Sequence, residues 1–373
     1  RGLKRGAAAR IYNYLRDNHQ GAADNPISIL VSYLKRMEGI KIGRYEAGLK
    51  AKELAKLYKL EEIAGLLGDL KEVLGKSKVY VFVDELDHGW DASEDAKAFV
   101  SGLFQASVSI NELSPNLTVY VSLRRELYDS IPALYDDAQK YRDIIETLEW
   151  SEPELKAIIA SRIRSSIPEM RELDDDMCWG AVFSETIQYR KNKSFNYIID
   201  RTLYRPREII QFCRDAQDYA QDQQTQPPLD YDTISVAELR YSEERSKDIV
   251  AEYRFQYPGL LSILEIFRGR VYSMDRDELE LLCLEICEGE RKVAVDASWV
   301  EGQDHSLLID VLWKIGFLKA YAVGGLKAHR RSGSSYIGTY QVPHLNLDSI
   351  SRFQIHPMFR SYLGTKEPRG ESA

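Results

Sequence analysis

The acidic pair Asp84-Glu85 closes one of the longest apolar runs in the chain, Val79 to Val83, within VYVFVDELDHGWD (residues 79–91). Hydrolysis of a nucleoside triphosphate needs acids in this arrangement. One carboxylate stands in the water shell of the Mg²⁺ that neutralises the phosphates, and its neighbour polarises the attacking water. On that chemistry Asp84 is the magnesium-shell carboxylate, Glu85 is the general base, and Asp87 sits one step further along the loop. An Asp-Glu pair that merely ends a strand at the surface has the same letters, so the motif alone is short. A second run, LTVYVSL at 117–123, ends at Arg124-Arg125. Open α/β sheets bind ligands at the carboxyl ends of their strands, which places Arg124 on the edge that carries Asp84. A cation there can sense the terminal phosphate of a nucleotide. A surface Arg after a core strand is the plainer alternative.

A phosphate cradle of the Gly-x-x-x-x-Gly-Lys-[Ser/Thr] kind uses backbone amides and a lysine. The chain opens RGLKRGAAAR, with Gly2, Lys4 and Gly6 ahead of a helical pattern, but with no Gly-Lys-Ser/Thr and no strand before it. Further along, Arg205-Pro206-Arg207 opens another helical stretch. Proline suits a first helical turn, and the arginines there can reach an anion or simply be solvated. His356 stands among Ile355, Met358 and Phe359, a setting open to a core histidine and to a ligand-binding one. Lys327, His329, Arg330 and Arg331 form a basic tip within GGLKAHRRSGSS, which could touch a phosphate backbone or be an ordinary solvated loop. Cys283 and Cys287 share a helix side with Leu279 and Leu284, a packing pattern rather than a metal-ligand one.

Elements must position these residues. The runs 79–83 and 117–123 are β-branched and aromatic, as strands buried on both faces of a parallel sheet are. Between them Ala96, Phe99, Val100, Leu103, Ser107 and Ile110 recur at helical spacing over 94–112. Strand, crossover helix and strand predict a parallel α/β arrangement. Residues 7–17 and 45–75 read as helical, while 27–34 fits a strand or a buried helix equally. Ser151 with Glu154 spells a capping box ahead of the stripe Leu155, Ile158, Ile159 and Ile163. Further helices are expected near 175–191, 194–202, 206–222, 235–254, 258–268, 273–288 and 306–317. The polar, Pro-broken QDQQTQPPLDYDT at 221–233 reads as a linker. The strand-like runs LKAYAV, SYIGTYQV and SRFQIHP close the chain, and helices followed by a β-hairpin predict a winged helix.

Composition bounds the function. The 373 residues carry 50 Lys+Arg against 58 Asp+Glu, a net charge of -8, with 44% hydrophobic residues. That acidity argues against a protein whose main task is to coat nucleic acid. No apolar run approaches the length of a membrane span, so no membrane partner is expected. Four cysteines are too few and too scattered for a disulfide framework, which fits a cytoplasmic setting. The chain opens on Arg1 rather than Met, so it says nothing about a leader.

DELDHGWD, the Arg-bearing strand, WSEPELKAIIASRI, YRPREIIQFCRDA and RFQIHPMFRSYL together resemble a bacterial group of P-loop ATPases. These are related to the STAND and AAA-type signalling NTPases often found near mobile elements and defence genes. The resemblance runs from residue 79 to 364, and DELDHGWD and IHPMF are its most specific parts. It implies an α/β protein: a P-loop NTPase parallel-sheet core over residues 1–150, a helical lid over 151–225, and a winged-helix domain over 226–373. It implies ATP or ADP and Mg²⁺ as cofactors, with Gly2, Lys4 and Gly6 in the nucleotide loop. Ala8 and Ala9 stand where that family has lysine and Ser/Thr, a departure that bears on hydrolysis more than on binding. By the same resemblance Arg205, Pro206 and Arg207 belong to a lid motif, and His356 grips the diphosphate form. The implied function is an ATP-driven switch that controls homo-oligomerisation or an effector subunit in antiviral defence. The alternative is a catalytically inactive regulator or scaffold that binds DNA through the winged helix, using Lys327, Arg330 and Arg331.

Overall fold

The computed structural model describes residues 6–18, 60–75, 78–87, 90–129, 131, 134, 142–187, 192–322, 324–325 and 334–368. The chain divides into two compact units, Arg1–Ile145 and Glu146–Ala373.

In the first unit, α1 (Ala7–Asn18) packs on α2 (Leu60–Leu74), and Arg10 Nε donates to Asp69 at 2.6 Å. The run Val79–Val83 is β1, and Leu117–Val121 is β2. They pair in parallel, Val79 beside Leu117 through Val83 beside Val121, with α3 (Glu94–Asn111) as the crossover. Local chemistry explains where α3 begins. Ser93 accepts the Ala96 N–H at 3.2 Å, and Glu94 and Asp95 sit in the first turn, where the helix dipole favours acids. Its last residue, Asn111, accepts the Val119 N–H at 2.6 Å and donates to the Val119 carbonyl at 3.2 Å. A side-chain amide thus satisfies backbone groups of β2 that β1 does not reach.

The expectation that these strands are buried on both faces needs correction. Phe82 is 75% exposed, and Tyr80 and Tyr120 are also open to solvent. Phe82 and Tyr120 stack on each other with ring centroids 5.2 Å apart. Among the described residues the sheet stops at two strands, and α3 packs against β2. Such a pair covers one face at most. The described residues therefore form a mixed α/β structure with small sheets, and the larger parallel sheet of a P-loop core is not among them.

The second unit opens with α5 (Glu152–Ser166), after a short α4 (Arg125–Asp129) in the first. Both halves of the Ser151/Glu154 capping box form, and Leu155 and Ile159 are buried. The helix expected over 175–191 ends early. α6 covers Asp175–Val182, Phe183 turns extended, and the Ser184 N–H bonds to the Leu229 carbonyl at 2.9 Å. A short antiparallel pair follows, β3 (Thr186–Ile187) with β4 (Asn192–Lys193). Then come α7 (Ser194–Ile199), α8 (Pro206–Asp222) and α9 (Tyr231–Glu252). The Gln- and Pro-rich stretch is a tight connection: α8 and α9 pack together, with Phe212 stacked on Tyr241 at 4.5 Å.

The chain continues through α10 (Leu260–Glu265), β5 (Ser273–Asp275), α11 (Arg276–Cys287) and α12 (His305–Lys314). The expected start at Ser273 shifts, because Asp275 forms the capping box with Glu278 and leaves 273–275 free to pair as β5. β6 (Leu318–Tyr321), β7 (Tyr336–Gly338) and β8 (Arg352–Ile355) follow, then α13 (Pro357–Leu363). The antiparallel sheet has the order β5-β8-β6-β7; the winged-helix expectation rests on helices followed by a β-hairpin, and β5 adds a strand ahead of those helices.

One hydrophobic cluster runs from Leu155 to Leu363, so the helices and the sheet share a core. Phe317 joins Phe267 and Phe359, with centroids 5.0 and 5.1 Å away. Gly316 has φ +78, and a Cβ there would lie 3.0 Å from Leu203 Cδ2. Glycine thus allows both the left-handed turn and the approach of the α7–α8 loop to β6. Among the described residues no helix is long and apolar enough to cross a membrane.

Candidate functional site

The carboxyl edge of β1 and β2 carries four of the charged residues that the sequence singled out, Asp84, Glu85, Asp87 and Arg124. Pairing extends one residue past the strands, since the Ser122 N–H donates to the Val83 carbonyl at 2.8 Å. Beyond that point the two chains carry Asp84-Glu85-Leu86-Asp87 and Leu123-Arg124. Asp84 and Glu85 are exposed. Glu85 has φ +61, the left-handed region that side chains rarely adopt. Strain of this kind gathers where surrounding structure must aim a side chain. Arg124 reaches Asp87, with Nη1 3.3 Å from Oδ2. That pair is partly exposed, so it contributes about 0–1 kcal/mol to stability and acts mainly to position the loop.

Trp90 anchors the same loop from below. It is 8% exposed and packs with Val100, Leu127, Ile131 and Leu134, while its N–H donates to the Asp87 carbonyl at 3.1 Å. Its indole Nε1 has no hydrogen-bond partner among the described residues. Asp91 accepts the Ser93 N–H at 2.9 Å, and this bond holds its carboxyl below the usual carboxylate range. The carboxyl-terminal end of the DELDHGWD loop is therefore tied to a small core through Trp90 and to the start of α3 through Asp91.

On the side expected to hold phosphates, Gly6 has φ +110 and starts α1, its carbonyl accepting from Ala9 and Arg10 at 3.1 and 3.2 Å. The first turn of α1 carries no acid, which leaves its dipole available to an anion. Gly2 and Lys4 lie outside the described residues, as do Lys327, Arg330 and Arg331.

Arg205, Pro206, Arg207 and His356 belong to the second unit. Arg205 precedes α8 and pairs with Glu252 at 3.4 Å, Pro206 takes the first turn, and Arg207 is exposed. Tyr204 before them has φ +58, and Glu208 behind them accepts the Leu203 N–H at 2.5 Å. Burial pushes the Glu208 carboxyl up, against the pull of Arg205 and Arg245.

His356 is fully buried. It caps α13, its Nδ1 accepting the Met358 N–H at 3.2 Å, which leaves the proton on Nε2. Among the described residues Nε2 has no partner. Burial pushes its pKa well below the usual histidine value, and Lys319, Arg360 and Arg201 push the same way. The histidine is thus a neutral core residue beside buried charges.

Those neighbours escaped the sequence reading. Lys319 is 3% exposed in β6, and burial lowers its pKa while Asp200 opposes the shift. Arg201 Nε lies 2.8 Å from Glu238, which also accepts from the Tyr197 hydroxyl. A lysine between Leu318 and Ala320 looks like the outward position of a strand, so no local pattern marks its burial. For Asp87 there was a cue: it follows Asp84 at loop spacing, ahead of a tryptophan that needs a core. Among the described residues no three or more His, Cys, Asp or Glu residues gather as a metal cluster. Cys283 and Cys287 face the core with Leu279, whereas Leu284, expected on the same side, is exposed.

Comparison with known proteins gives two findings. Residues 153–250, from α5 to α9, match the family described as the FunZ-associated C-terminal helical domain. The chain is 21% identical over 294 residues to an 80.3 kDa protein assigned to transposon gamma-delta of Escherichia coli (strain K12). That similarity covers 76% of this chain and 39% of the relative, so the chain spans about two fifths of the relative's length. No solved structure matches.

Proposed function

We propose that the chain is a nucleotide-dependent switch that binds ATP at the carboxyl edge of β1 and β2 and hydrolyses it with Asp84 and Glu85. The observation that carries this reading is the Arg124–Asp87 contact of 3.3 Å beside those two exposed acids. A cation that is held by an acid of the loop, on the edge where ligands bind, suits a sensor that leaves its partner for a terminal phosphate.

Mg²⁺ fits this edge, because it takes one or two carboxylates and completes its shell with water and phosphate oxygens. Asp84 would hold it through water, and the ion when bound would neutralise phosphate charge. Glu85 would orient the attacking water and accept its proton. Gly6 and the acid-free start of α1 would face phosphates, with Gly2 and Lys4 before them. The P-loop core, lid and winged-helix organisation, self-assembly or an effector subunit, and a role in defence belong to the same reading. The transposon setting of the relative supports work alongside mobile DNA. Arg205 and Arg207 would act from the lid. The sealed position of His356 supports a part played through the placement of α13, with no direct ligand contact while the core is closed.

The alternative, a DNA-binding regulator without catalysis, rests on Lys327, Arg330 and Arg331. It draws no help from α12, whose exposed residues are Ser306, Leu307 and Asp310.

Binding and turnover of ATP with Mg²⁺ test the proposal, on the native chain and on Glu85→Gln. The variant is expected to bind ATP normally and to lose about 100-fold or more in kcat. Unchanged turnover removes Glu85 from the mechanism, and failure of the native chain to bind nucleotide removes the switch itself.

A further inference from the structure

We propose that the outer face of α11, with the adjoining α12, is a docking surface for a basic, leucine-bearing helix of a partner protein. α11 has two unlike sides. Leu279, Leu282, Cys283, Ile286 and Cys287 are buried in the core. Opposite them Asp277, Leu281, Leu284 and Glu288 follow at steps of four, three and four residues, which aligns them in one stripe.

The stripe is open. Leu281 is 59% exposed and Leu284 is 37% exposed, with an acid at each end. α12, packed beside α11, exposes Leu307 (44%) and Asp310. Of the bases nearest in sequence Arg276 and Arg291 are engaged, and Lys292 is exposed beyond the end of the stripe. Arg276 pairs with Glu280 and donates to the Ile350 carbonyl at 2.9 Å, and Arg291 pairs with Glu285 at 2.8 Å. Among the described residues the charged members of the stripe itself, Asp277 and Glu288, are both acids.

Leucines rimmed by one sign of charge are how a helix selects a partner helix, since the flanking charges pair across the seam. An acidic rim selects a basic partner. It repels a nucleic-acid backbone, whose binding depends on neutralising phosphates. It also repels a second copy of itself, because self-pairing sets acid against acid. Charge complementarity thus favours a partner helix with leucines at core positions and lysine or arginine beside them.

The test uses the full chain and synthetic helical peptides with leucine at core positions and either lysine or glutamate at the flanks. Isothermal titration calorimetry is run at low and at physiological salt. The lysine-flanked peptide is expected to bind in the micromolar range and more weakly with salt, and the glutamate-flanked peptide is expected not to bind. Leu281→Ser with Leu284→Ser is expected to weaken binding about tenfold or more, because the leucines supply the apolar contact. Its unfolding temperature stays at the native value, since both side chains are exposed. The proposal fails if the lysine-flanked peptide does not bind, if both peptides bind alike, or if the double variant binds as the native chain does. It also fails if the same variant abolishes binding to duplex DNA or dissolves a self-associated native chain, for then the surface has a different occupant.

Discussion

Arg124 and Asp87 separate two roles that one contact can have. Their ion pair is partly exposed at 3.3 Å, so Asp87→Asn is expected to cost less than about 1 kcal/mol in denaturant unfolding. The same change removes the charge that draws Arg124 to the loop, and nucleotide affinity measured by calorimetry is expected to shift several-fold. A large stability loss with unchanged affinity would make the pair purely structural. His356 gives a residue-scale prediction of another kind. Its pKa in the folded chain lies well below the ordinary value, so below about pH 6.5 the unfolded chain binds a proton that the folded chain refuses. Its contribution is complete above that pH and falls away as pH drops, by up to about 1.4 kcal/mol per unit. His356→Asn keeps a capping acceptor and removes the titration. Unfolding free energies from pH 7 to 5 are expected to fall less steeply in that variant than in the native chain.

Elements were legible where local chemistry decides them. The capping box at Ser151 and Glu154 starts α5 as expected, and Ser151→Ala is expected to cost about 1 kcal/mol of stability in urea. The run 79–83, the crossover helix and the parallel partner were legible for the same reason, because β-branched runs and helical spacing are properties of neighbours in sequence. Residues 175–191 were not. At the end of α6 the Val182 carbonyl accepts the Leu229 N–H and the Ser184 N–H donates to the Leu229 carbonyl, more than forty residues away, and no local period records these bonds. Arg201 and Glu238 show the same limit, with distant residues on either side of α8 meeting at 2.8 Å in a largely buried pair. Glu238→Ala removes the ion-pair partner of a largely buried cation and is expected to cost about 3–5 kcal/mol in equilibrium unfolding.

Across the whole chain, the division between units follows the cores rather than composition. The polar, Pro-broken stretch at 221–233 has the composition of a linker, yet residues on both sides of it contribute to one cluster. A fragment covering residues 146–373 is therefore expected to unfold in a single cooperative transition, with calorimetric and van't Hoff enthalpies in agreement. Two transitions would mean that the helices and the terminal sheet are separable. At the candidate site, Asp84, Glu85 and Arg124 were legible as edge residues. The partner of Arg124 was not, since which loop acid a guanidinium meets depends on how Trp90 folds the loop back.

Trp90 also makes the first unit optically simple. Of the five tryptophans in the chain, at 90, 150, 179, 299 and 313, it alone belongs to Arg1–Ile145. Its buried indole sits within a few residues of Asp84, Glu85 and Asp87, shielded from water. Replacing the other indoles would leave one emitter in the chain, blue-shifted for as long as the loop stays on its core. Any event that lifted the loop would move that emission to the red, and colour alone would then report the state of the edge.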